Sequence, residues 1–225
     1  MNRAFWPKFA VLLSFFIAQA QCQSQPPKKP ATNEMQKMET NNIPKLVVTF
    51  DTDGKTLEVD YRVKNTTGSA IYLFNVIRHT DEIETVSPYK FYTCLRDDGT
   101  VFLGKVIPNL PSVASVEVRD IPYVTKVEAG KEFSEKVELP LPLEEYNPYF
   151  QKNADSKVEP RVAERIFLAV DFIREKKGLE IKETKIPNAF SVSHDKLFES
   201  VETLSSNPSP IQIKVNRRLD KFERF

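Results

Sequence analysis

The run Leu57-Glu58-Val59-Asp60-Tyr61-Arg62-Val63 sets an apolar side chain against a charged one at every step. Successive side chains on a β-strand leave on opposite faces, so this period of two predicts a strand with one buried and one wetted face. Just before it, Leu46-Val47-Val48-Thr49-Phe50 reads as a partner strand, and Asp51-Thr52-Asp53-Gly54-Lys55 between them has the residue types of a hairpin turn. The same grammar continues through 71–77, 90–96, 100–107, 115–127 with a break near Pro122, 132–139, 164–174, 179–186 and 211–217. Asp97-Asp98-Gly99 is a hairpin turn between the fourth and fifth of these runs. The expectation is an all-β chain, an antiparallel β-sandwich of about nine strands. One short helix is expected near 194–204, where Leu197, Phe198, Val201 and Leu204 form an apolar stripe behind Ser193 as N-cap.

Two stretches carry a resemblance. Val59 to Leu73, a strand closing on Val63-Lys64-Asn65-Thr66-Thr67-Gly68 and a second opening at Ile71-Tyr72-Leu73, is similar to the second and third strands of bacterial extracytoplasmic immunoglobulin-like modules. Val127-Glu128-Ala129-Gly130-Lys131-Glu132-Phe133 resembles a turn-then-strand pattern of the same modules. The resemblance covers about a third of the strand-rich region and implies an immunoglobulin-like architecture, not an activity.

The N-terminus reads as an address. Arg3 and Lys8 precede the uncharged run Phe9 to Ala18, too short to span a bilayer, and Ala18-Gln19-Ala20 supplies the small-x-small exit of a secretory signal. Residues 1–20 are therefore expected to be a signal peptide cut between Ala20 and Gln21. Cys22 stands where a lipoprotein carries its acyl chains, but Gln19 and Gln21 occupy positions where lipoprotein processing favours an aliphatic and a small residue. Free export to the periplasm or medium is the first expectation and an outer-membrane lipoprotein the second, with membrane contact only if Cys22 is lipidated. Residues 21–44, rich in proline, amides and charge, are expected to be a flexible linker, 45–217 the sandwich and 218–225 a C-terminal tail.

Composition excludes several classes. Loss of residues 1–20 removes two of the 32 basic residues and none of the 31 acidic ones, leaving a net charge of −1 and no field to attract nucleic acid. The six glycines form no dinucleotide fingerprint, phosphate loop or nucleophile elbow. With His79 and His194 the only histidines, and no paired-ligand spacing, neither a metal nor a cofactor is expected. Ser191, Ser193, His194 and Asp195 include the residue types of a hydrolase triad, but sequence neighbours diverge on either kind of element, so helix capping is the better reading. Cys94, mid-strand among Phe91, Tyr92 and Leu95, reads as a buried inert thiol rather than a nucleophile served by His79. Asp51-x-Asp53-Gly54 lacks the later ligands of a calcium loop, with Lys55 and Arg62 in their place, and Asn65-Thr66-Thr67 is formally a glycosylation sequon.

If each strand carries the chain from one end of the sandwich to the other, loops 51–55, 78–89, 108–114, 140–163 and 187–210 share one end and 65–70, 97–99, 128–131 and 175–178 the other. The first set is long and brings Asp51, Asp53, Asp81, Glu82 and Glu84 together with Tyr146, Tyr149 and Phe150 as a candidate binding surface for a protein or glycan. The competing reading folds Tyr146, Tyr149 and Phe150 inward as a plug and leaves the carboxylates as solvated turns. The functional expectation is an exported, non-catalytic binding or envelope-structural protein. Its rivals are an extracytoplasmic hydrolase with an atypical site and a protease inhibitor presenting loop 104–114.

Overall fold

A computed structural model describes residues 42–78, 90–111, 119–150 and 156–220. The strands are β1 (Lys45–Thr52), β2 (Thr56–Lys64), β3 (Ile71–Val76), β4 (Tyr92–Leu95), β5 (Thr100–Lys105), β6 (Tyr123–Val127), β7 (Glu132–Pro140), β8 (Leu143–Glu144), β9 (Val158–Arg174), β10 (Glu180–Glu183) and β11 (Phe190–Ser193). A single helical turn, α1 (Leu197–Ser200), precedes β12 (Val201–Ser205) and β13 (Ser209–Arg218). The chain is all-β.

The alternating run becomes β2, at the centre of a three-stranded sheet ordered β1-β2-β7, with Tyr61 opposite both Val48 and Glu135. Leu57, Val59, Tyr61 and Val63 are fully buried on its inner face, against Ile71, Leu73, Val101, Leu103, Ile166, Leu168 and Val170 of a larger sheet. That shared apolar layer makes the two sheets a sandwich.

The larger sheet is organised on β9. Its first half pairs with β13 and its second half with β12 on one edge, while β5 and then β3 occupy the other. β3, β5 and the later part of β9 are buried residue after residue, because their outer faces are covered too. Tyr92, Cys94, Phe102 and Phe167 lie under Tyr146 and Phe150 in one outer cluster, and Tyr72, Phe74, Val124 and Ile173 lie under Val192 and Leu197 in another.

Several expectations are corrected. There are thirteen strands among the described residues rather than about nine, and two pairings, β5 with β9 and β8 with β13, are parallel. The helix of 194–204 is confined to Leu197–Ser200, because Val201–Ser205 pairs with β9. Ser193 ends β11 opposite Glu180 and is not the cap; the His194 Nδ1 accepts the Lys196 amide at 2.9 Å.

The alternation of loop ends fails between β3 and β6. β4 is antiparallel to β5, which is parallel to β9, so β3 and β4 run the same way, and the connection between them does not reverse the chain. The 97–99 turn therefore docks at mid-β9, where the Glu164 amide donates to the Gly99 carbonyl at 3.2 Å and Arg165 pairs with Asp98. β5 and β6 also run alike, so the second exception cancels the first. Loops 65–70 and 128–131 then meet as expected: Asn65 donates to Lys131 and accepts from Gly130, both at 2.9 Å.

Candidate functional site

Five of the residues expected to form a binding surface are described: Asp51, Asp53, Tyr146, Tyr149 and Phe150. Asp53 Oδ1 accepts the amides of Lys55 at 2.8 Å and Thr56 at 2.7 Å and the Thr56 hydroxyl at 3.0 Å, which holds its carboxyl below the usual range. Asp51 accepts the Thr52 amide at 2.8 Å. Both carboxylates build the β1–β2 turn. Tyr146 faces inward, stacked on Tyr92 with centroids 5.9 Å apart and bridged by backbone to Thr93, with the Lys90 ammonium 4.4 Å above its ring. The Tyr149 hydroxyl accepts the Asp120 amide at 3.0 Å, and Phe150 packs on the same cluster while its carbonyl accepts from Arg218. Asp81, Glu82, Glu84 and His79 lie outside the described residues, as do Ala20, Gln21 and Cys22.

The other chemical candidates also resolve into structure. Cys94 is fully buried in the outer cluster of Tyr92, Phe102 and Phe167. Asn65 is fully buried, its Nδ2 donating to the Ser69 and Val127 carbonyls and its Oδ1 accepting from Thr67. Gly104 and Lys105 belong to β5, and the Ile107 amide is bound by Asp171 at 2.9 Å, so the described part of loop 104–114 begins inside the sheet. Asp171 also accepts the Thr203 hydroxyl at 2.6 Å, and burial pushes its carboxyl up. Among the described residues no group of three or more His, Cys, Asp or Glu side chains converges as metal ligands do.

The site that the fold builds lies elsewhere. β3 leaves β9 after Leu73, and its register with β6 shifts between Leu73 and Val76, so the large sheet forks there, with β5 taking up the edge of β9 from Val170 downward. Four inward positions beside the fork are polar where strand alternation calls for core residues: Tyr61 follows Val59, Asn75 follows Leu73, Lys105 follows Leu103, and Glu135 precedes Val137. The Tyr61 hydroxyl donates to Glu135 Oε2 at 2.6 Å, and the Lys105 ammonium sits 3.7 Å from the same oxygen and 4.4 Å above the Phe91 ring. Among the described residues Glu135 Oε1 takes no hydrogen bond, and Asn75 Oδ1 is buried without a partner.

Beside this polar floor is a cleft of ≈ 640 Å³. Its walls are Asn75 and Val76 of β3, Thr125 and Lys126 of β6, Phe133 and Glu135 of β7, and the turn Ile186 to Phe190. That turn is pre-formed: the Thr184 hydroxyl donates to the Ala189 carbonyl at 2.8 Å, and Asn188 sits at a φ of 61°. Clefts of this size with apolar walls and a few convergent polar groups are where proteins hold small ligands.

Electrostatics decide what the floor can do. Burial lowers the Lys105 ammonium to about 8 against the opposing pull of Glu135, and burial with the Glu135 charge raises Tyr61 well above its ordinary value. Both side chains are wholly enclosed; Glu135 and Asn75, the latter 3 % exposed, are the members of the group that line the cleft. The arrangement suits hydrogen-bonded capture more than covalent chemistry. Sequence reasoning missed it by looking for function in loops. The signal was Glu135 and Lys105, charged residues in the apolar phase of Glu132-Phe133-Ser134-Glu135-Lys136-Val137-Glu138-Leu139 and Thr100-Val101-Phe102-Leu103-Gly104-Lys105.

Set against protein-family models, curated proteins and solved structures, the chain matches none.

Proposed function

We propose that this protein is an exported, non-catalytic binding domain that holds a ligand in the cleft beside the fork of its large sheet. The observation that carries the reading is Asn75: a side-chain oxygen buried without a hydrogen bond costs roughly 1–3 kcal/mol, and a ligand donor in the cleft would relieve that penalty. The export half rests on the basic, apolar and small-x-small order of residues 1–20. The similarity of Val59–Leu73 and Val127–Phe133 to immunoglobulin-like modules bears on the frame alone and not on what it binds.

Two measurements test this. Amide resonances of Asn75, Thr125, Glu135 and Asn188 are expected to move together when a dialysable extract of the host's envelope is titrated into labelled protein; resonances that move only on the outer sheet faces would sink the cleft. Intact mass of protein recovered from the host is expected to place the first residue at Gln21. An acylated Cys22 would make the domain membrane-tethered, and a retained Met1 would remove the export claim.

A further inference from the structure

Taking the cleft as a binding site, we propose that its ligand is a neutral saccharide, whose hydroxyls donate to Asn75 Oδ1 and Glu135 Oε1 while a C–H face lies on Phe133 or Phe190.

The chemistry of the walls selects this class. Phe133, Phe190, Ile186 and Val76 give an apolar enclosure, and the floor adds two oxygens that take no hydrogen bond among the described residues. A wholly apolar ligand would seal Glu135 Oε1 away from water and leave Asn75 Oδ1, already buried, without a partner. A cationic ligand would compete with Lys105 behind Glu135, already the counter-charge of that carboxylate at 3.7 Å, while the wall residue Lys126 is itself paired with Glu128 at 2.7 Å. An anion would face Glu135 itself. A neutral molecule with adjacent hydroxyl donors satisfies both acceptors without adding charge, and its ring C–H face is a match for an aromatic wall. The Tyr61 ring, with its centroid 5.9 Å from that of Phe133, fixes one such wall from behind.

Asn75 makes the proposal separable from a structural role. Its Oδ1 gains nothing from the folded protein, so Asn75→Leu is expected to leave the midpoint of urea unfolding unchanged or higher while weakening the ligand. The experiment uses the full-length labelled chain and its Asn75→Leu and Phe190→Ala variants, with four sets of probes: neutral mono- to trisaccharides including N-acetylated amino sugars, alkylamines, aromatic carboxylates, and an uncharged tripeptide. Ligand-observed saturation transfer and amide shifts are read together. The expected result is that a neutral saccharide moves the amides of Asn75, Thr125, Glu135 and Asn188, and that its Kd rises at least tenfold in Asn75→Leu with no loss of stability. If amines, carboxylates or the peptide move those amides and saccharides do not, the ligand class is overturned while the cleft stands. If no probe moves them, the cleft reading and the ligand class fall together. Saccharide binding unchanged in Asn75→Leu overturns the assigned contact.

Discussion

Tyr61 of β2 donates a 2.6 Å hydrogen bond to Glu135 of β7, its direct cross-strand neighbour, and that carboxylate is the counter-charge of the enclosed Lys105. Three strands are thus joined by polar contacts inside an apolar layer. Such a group is strongest while complete, because removing Glu135 takes a charged partner from an enclosed ammonium and an acceptor from a buried hydroxyl. Glu135→Leu alone is expected to destabilise by about 3–5 kcal/mol, whereas Glu135→Leu with Lys105→Met recovers most of that loss. Urea unfolding of the two singles and the double gives the coupling; additive effects would show that the ammonium and carboxylate do not depend on each other.

The pH dependence of stability follows from the same group. Lys105 binds its proton less tightly in the folded chain, at about 8 against 10.5 unfolded, so between these values the unfolded chain holds more protons and stability rises with pH. The gain is roughly 3 kcal/mol across that window and is lost as pH falls through 8. Tyr61 and Tyr92 act oppositely: both are raised well above 10, so above pH 10 the unfolded chain releases protons first and stability declines. The urea midpoint is expected to climb from pH 7.5 to about pH 10, then fall, and to lose the climb in Lys105→Met.

Gly104 is the one place where the outer face of β5 comes too close for a side chain. A methyl there would stand 2.6 Å from the Phe102 ring and 3.2 Å from Val106, and Phe102 is itself held against Phe167 with centroids 5.4 Å apart. Gly104→Ala is expected to destabilise by about 1–3 kcal/mol, and the companion Phe102→Leu to recover part of it. Thermal unfolding of both variants and the pair decides; a neutral Gly104→Ala would mean the ring moves aside freely.

Asn65 joins two loops with both ends of its amide. Asn65→Ala is expected to cost about 2–4 kcal/mol, since it takes the Asn65 side-chain partner from the Thr67 amide and the Val127 carbonyl and leaves the Ser69 carbonyl with the Thr67 hydroxyl. The sequon is a sequence match without an accessible acceptor. Produced in a glycosylating host, the folded fraction is expected to carry no glycan at Asn65, which peptide mapping by mass spectrometry checks.

What could be read from the residues beforehand divides along physical lines. The wet-and-dry alternation of Leu57 to Val63 and the turn residues after Phe50 and Arg96 make strands and hairpins legible, since period and turn chemistry are local. Val158 to Ala163 was not legible as the opening of β9, because its polar residues and Pro160 are tolerated only by β13 alongside. Leu197 to Leu204 has helical spacing, but pairing with β9 overrides it after Ser200. The loop-end argument failed where β3 and β4 run alike, a relation set by distant pairing that leaves no mark in the local pattern. The cleft was half visible: Glu135 and Lys105 stand out of phase with their strands, yet only the fork of the large sheet opens a cleft with Glu135 and Asn75 in its lining.

β13, the last strand among the described residues, lies along the first half of β9, and β8 joins its outer edge in parallel. Chain order thereby becomes a matter of time. Until Ser209 to Arg218 has been made, the opening turns of the spine have one edge bare, and the small carboxyl-side segment supplies the closing step for pairings begun more than a hundred residues earlier at β5. Topologies dominated by such distant pairings assemble slowly. The register of β13 against β9 is thus a late, long-range contact that helps set how fast the whole sandwich closes.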